Sequence, residues 1–196
     1  STPILFLLCL LTLPIQAELP EDNWPSWRGP MSNGVASKGN PPTQWSETEN
    51  IKWKVALPGE GSSTPIIWGD KLFIQTAIPT EDPANAAVAE GNPNLSVLKK
   101  VPYQFSLMCI DRRNGKTLWE RVVTEEIPHE GHHPTANYAS YSPVTDGELL
   151  WVSFGSRGLY CFDLDGNLKW STDLIPMSIL YGFGEASSPA LAGDAI

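Results

Sequence analysis

The residues best equipped for chemistry crowd into one short stretch, Glu126 to His133, which holds all three histidines of the chain: His129, His132 and His133. Imidazoles beside the carboxylates of Glu126 and Glu130 are donors suited to a divalent metal. No regular helix or strand fits the spacing, and Gly131 and Pro134 favour a turn. The expectation is a polar loop in which His129, His132 and His133 are candidate metal ligands. No catalytic or cofactor-binding residue is assigned.

Other constellations lead less far. Gly155-Ser156-Arg157-Gly158 follows a strand pattern but lacks the surroundings of a nucleophilic serine elbow. Gly182-Phe183-Gly184-Glu185 is glycine-rich without the Lys and Ser/Thr of a phosphate loop. Residues 79–102 read as a solvated excursion carrying a glycosylation sequon, Asn94-Leu95-Ser96.

The elements that must position these residues are short strands. Among 196 residues, 18 Pro, 16 Gly and 8 Trp argue against a helical protein and for many tight turns. A net charge of −9 with no basic block excludes the electrostatic footprint of a nucleic-acid binder. Residues 4–13 form a nearly unbroken apolar run, followed by Pro14 and Ala17. That run is too short to span a bilayer and suits a signal peptide over residues 1–17. Leu8 before Cys9 speaks against a lipid anchor. The chain is therefore expected to be exported, to a periplasmic or extracellular space, with no transmembrane segment after processing.

An internal repeat organises the remainder. Ser63-Thr64-Pro65-Ile66-Ile67-Trp68-Gly69-Asp70, Tyr141-Ser142-Pro143-Val144-Thr145-Asp146-Gly147 and Ser187-Ser188-Pro189-Ala190-Leu191-Ala192-Gly193-Asp194 each combine a small polar residue, Pro, an apolar strand and a Gly/Asp turn. A second motif pairs Cys109, Asp111, Gly115 and Trp119 with Cys161, Asp163, Gly166 and Trp170. Asn114-Gly115 and Asp165-Gly166 suggest two-residue hairpin turns. Each unit is thus four short strands, which cannot bury both faces unless units stack. Radial stacking gives a β-propeller, with each Trp wedged between neighbouring blades. Asp111 and Asp163 are expected to bond turn backbone, because they recur in every unit.

The repeat resembles that of the pyrroloquinoline-quinone-type (PQQ-like) β-propellers, whose pattern joins a small residue, Asp, Thr-Gly-Lys and Trp. Here Cys109, Asp111, Asn114-Gly115-Lys116 and Trp119 match, with Asn for Thr, and Cys161, Asp163, Gly166 and Trp170 match a shortened form. Trp24-Pro25-Ser26-Trp27-Arg28-Gly29-Pro30 resembles the opening of exported, BamB-like proteins of this class. The resemblance implies an all-β fold, a β-propeller of four-stranded antiparallel blades. At about 45 residues per blade the chain holds an incomplete ring, the N-terminal fragment of a longer protein. The organisation expected is a signal peptide (1–17), an N-terminal arm (18–48) and a partial propeller (49–196). Within the last lie an orphan outer strand with Trp53 (49–55), a blade (64–123) interrupted at 79–102, a second blade (141–172) and the start of another (187–196).

Cys109 and Cys161 occupy equivalent places in adjacent sheets about 10 Å apart, too far for a disulfide, and are expected as buried free thiols. Three functions compete. The resemblance implies first a non-catalytic binding or assembly scaffold, with a protein or cell-envelope component as partner. An alternative is a PQQ-dependent quinoprotein oxidoreductase needing PQQ and calcium, which the lack of an adjacent cysteine pair disfavours. A third is a metal- or sugar-binding hydrolase-type propeller using the histidine loop.

Overall fold

A computed structural model describes residues 22–84, 98, 100–193 and 195–196. The expected signal peptide and the Asn94-Leu95-Ser96 sequon lie outside the described residues. Eight strands follow one another: β1 (Ile66–Trp68), β2 (Lys71–Pro79), β3 (Tyr103–Asp111), β4 (Thr117–Glu126), β5 (Val144–Thr145), β6 (Leu149–Ser153), β7 (Leu159–Asp163) and β8 (Leu168–Thr172). They form two four-stranded antiparallel sheets, β1-β2-β3-β4 and β5-β6-β7-β8, each in sequence order. This all-β arrangement is consistent with a propeller-like fragment. No closed ring exists among the described residues. Nor does any helix among them have the length and apolarity to cross a membrane.

Strand alternation decides how the sheets meet, because every second residue faces the same side. Cross-strand pairing aligns Ile66, Phe73, Cys109 and Trp119 in one row of the first sheet. Val144, Trp151, Cys161 and Trp170 form the matching row of the second. The first row joins Phe105, Leu107, Leu150, Val152 and Phe154 in a core shared by both sheets. In the second row Val144, Trp151 and Cys161 pack with Leu191, while Trp170 stays 41% exposed. The difference is one of neighbours: among the described residues, no third sheet stands against that face. Cys109 and Cys161 are both free and buried.

Each seam carries an indole. A Cβ placed on Gly166 would lie 2.9–3.0 Å from three ring atoms of Trp119, so the ring rests on the turn of the next sheet. Trp53 covers Gly115 in the same manner, and its Nε1–H donates to the Arg112 carbonyl at 2.8 Å. Trp68 closes on Gly147. Residues 49–55, expected as an orphan outer strand, pair with no strand among the described residues. Trp24 is half-buried over Gly29, whereas Trp27 is largely exposed, not packed in a core.

The hairpin turns are longer than two residues. Asp111 N–H bonds Lys116 O at 2.8 Å, and Asp163 N–H bonds Asn167 O at 3.0 Å. Two-residue type I′ turns need positive φ at both central positions. Here Gly115 (+76°) and Gly166 (+79°) have it, but Asn114 and Asp165 do not. The recurring carboxylates organise the loops instead. Asp111 accepts from Arg113 N–H at 2.9 Å, and Asp163 accepts from Asp165 N–H at 3.0 Å and Asn167 N–H at 2.9 Å. Hydrogen bonds from Arg113 and from Lys169, respectively, are the leading reason both carboxyls sit well below the usual carboxylate range.

A second seam was not foreseen. Thr64, Ser142 and Ser188 each precede the proline of their repeat. Thr64 N–H donates to Ser142 Oγ, and Ser142 N–H donates to Ser188 Oγ, both at 2.9 Å. The residue before proline is held extended. Its hydroxyl therefore projects sideways to the preceding unit, and the motif forms a hydrogen-bonded chain from unit to unit.

Candidate functional site

In a meander, alternate connections share one end. The described ends of the β2–β3 connection, the β4–β5 connection (127–143), the β6–β7 connection (154–158) and the segment after β8 therefore emerge together. β4 runs to Glu126, so Glu126 ends a strand and does not belong to the polar loop expected over Glu126 to His133. Beyond it the chain turns over the sheet ends.

Glu185 is the centre of this end. Its side chain is only 3% exposed, although it comes from a loop. One carboxylate oxygen accepts from Ser156 N–H at 2.7 Å and from the Tyr141 hydroxyl at 3.1 Å, and the other from Ser156 Oγ–H. Gly155 makes this possible. With φ at +63°, a Cβ there would lie 1.9 Å from Glu185 Oε2 and 2.2 Å from the Tyr141 hydroxyl. Ser156 Oγ also accepts from Met177 N–H at 2.7 Å. Burial foremost, and then the Glu185 charge, push the Tyr141 hydroxyl above its ordinary pKa, so it remains a donor.

The three histidines part company. His129 Nε2 lies 2.8 Å from Met177 O and 3.9 Å from Glu185 Oε1. His132 turns edge-on to Tyr138, with ring centroids 4.6 Å apart, and its Nδ1 meets His133 O at 2.8 Å. His133 stands edge-on to Phe183 at 5.2 Å, and its Nδ1 meets Thr135 Oγ1 at 2.8 Å. Of the predicted ligands, only His129 approaches carboxylates. Its partners are Glu130 and Glu185: one donor atom from each of the three lies within 4.8 Å of the others.

Glu130 splits its duties. One oxygen accepts from Ile179 N–H at 3.0 Å, while Oε1 is buried without a hydrogen-bond partner. Arg157, buried beside them, gives an N–H to Phe154 O at 3.2 Å and places its guanidinium 4.6 Å from the Phe105 ring centroid. Sequence reasoning missed Glu185 as a site residue. Its signal was there: Glu185 is the only charged residue between Asp173 and Asp194.

The repeat residues Asp111, Gly115, Trp119, Asp163, Gly166, Trp170 and Trp53 lie away from this cluster, at the turns and seams. A separate open cleft of about 420 Å³ runs between the N-terminal arm and residues Val144, Thr145 and Ser188–Leu191, with Trp27 and Arg28 on its wall.

No family model matches the chain, and no curated protein matches it. Among solved structures, it has a weak similarity to a europium-containing methanol dehydrogenase, with 17% identity and a TM-score of 0.29. The match covers 60% of this chain and 25% of that one, so the chain spans about a quarter of that protein's length.

Proposed function

We propose that the chain is part of an exported, PQQ-like propeller that acts as a non-catalytic binding or assembly scaffold. One observation carries the reading. At the loop-bearing end, Glu185, Ser156, Tyr141 and the histidines are engaged in bonds within the chain, while apolar side chains beside them face outward. Ile175 is 86% exposed, Leu180 73% and Tyr181 64%. Polar groups spent on holding loops, next to uncovered aliphatic and aromatic side chains, suit contact with a protein or envelope component better than turnover of a small substrate. The apolar run at residues 4–13 supports export.

The test uses the full-length protein. Thermal stability and absorbance are expected to stay unchanged when PQQ and Ca²⁺ are added together. A saturable shift in both, requiring both additions, would overturn the scaffold reading in favour of a quinoprotein oxidoreductase.

A further inference from the structure

We propose that His129, Glu130 and Glu185 hold one divalent ion of the zinc class, which ties the connection between the two sheets to the segment that follows β8. His129 and Glu130 belong to the first stretch and Glu185 to the second. Their donor atoms already converge within 4.8 Å. One imidazole nitrogen with two carboxylates is a three-ligand set that zinc accepts, completing its shell with water. Calcium, by contrast, prefers oxygen ligands alone.

The decisive observation is Glu130 Oε1, a buried carboxylate oxygen with no partner. Such an atom is costly unless something satisfies it. Its other oxygen is fixed by Ile179 N–H, so Oε1 has a defined direction. Among the described residues, no Lys or Arg forms an ion pair with either Glu130 or Glu185, although the Arg157 guanidinium lies in the lining they share. Glu130 and Glu185 border a cavity of about 10 Å³, room for one water, whose lining includes His132 and Arg157 but not His129, so the ion would sit on the His129 side of the two carboxylates.

The surroundings do what outer partners of metal ligands do. Ser156 and Tyr141 fix the Glu185 carboxylate while leaving it lone pairs to share. His129 is about a third exposed, which gives an ion a way in. Ligation through Nε2 exchanges the contact with Met177 O for a metal bond and leaves that carbonyl beside the ion. Nothing in this inference depends on the scaffold reading.

Isothermal titration of the metal-stripped, full-length protein with Zn²⁺ tests it, alongside melting curves. One equivalent is expected to bind and to raise Tm saturably. Glu130→Gln can keep the Ile179 hydrogen bond through its amide oxygen, so its metal-free Tm should match the parent. Its Zn²⁺ affinity should fall at least about tenfold, as should that of His129→Ala. His132→Ala and His133→Ala should retain binding. Absence of stoichiometric binding, or undiminished binding by Glu130→Gln, would overturn the proposal.

Discussion

Replacing Gly166 by Ala should destabilise the protein at the seam where Trp119 rests on this turn. Two costs coincide. At φ of +79° an L side chain pays left-handed strain of about 1–2 kcal/mol. The new methyl would also sit 2.9–3.0 Å from the Trp119 ring, and displacing a packed side chain costs about 1–3 kcal/mol. The expected loss is therefore about 2–5 kcal/mol. Gly193 is the control, because its φ is +60° but a Cβ there meets nothing within 4 Å. Gly193→Ala should cost only the strain, about 1–2 kcal/mol. Urea unfolding of the full-length protein reads both. In a Trp119→Ala background, the Gly166→Ala penalty should shrink to the strain alone. Equal penalties at the two glycines, or the same Gly166 penalty with and without Trp119, would refute the idea that the indole rests on this turn.

Other outcomes follow from the same geometry. Ser142→Ala removes the acceptor for Thr64 N–H and should cost about 1–2 kcal/mol in urea unfolding, with Ser188→Ala similar through Ser142 N–H. Burial pushes the Cys109 thiol up to about 12 and raises that of Cys161, so neither should react with a thiol reagent at pH 8 until urea unfolds the chain. Asp111 and Asp163 have depressed folded pKa values, so their stabilisation is present above the unfolded carboxylate pKa near 4 and drains away as pH falls below it. The urea midpoint should accordingly drop between pH 6 and pH 3, and drop less in Asp111→Asn and Asp163→Asn; an unaltered slope would contradict the assignment.

What was legible in the sequence was local and periodic. Alternation in Leu107, Cys109 and Asp111, together with recurring Gly and Trp, announces strands and seams because those patterns act over a few residues. The two-residue turn failed because Asn114 and Asp165 were credited with positive φ, which the glycines alone supply. The histidine loop was legible only as a polar loop. His132 and His133 are adjacent, and their rings go to different aromatics, Tyr138 and Phe183. Glu185 reaches His129 across more than fifty residues of chain, a meeting that only the stacking of sheets arranges. The hydroxyl chain through Thr64, Ser142 and Ser188 was hidden because prolines drew the eye and the residues before them did the joining.

The most direct test of the stacked-sheet account is the proton NMR shift of the Gly166 Hα atoms. One of them occupies the direction in which a Cβ would meet the Trp119 ring face. The account predicts a strongly upfield ring-current shift that returns to an ordinary glycine value in Trp119→Ala. An ordinary Gly166 shift in the parent protein would contradict it.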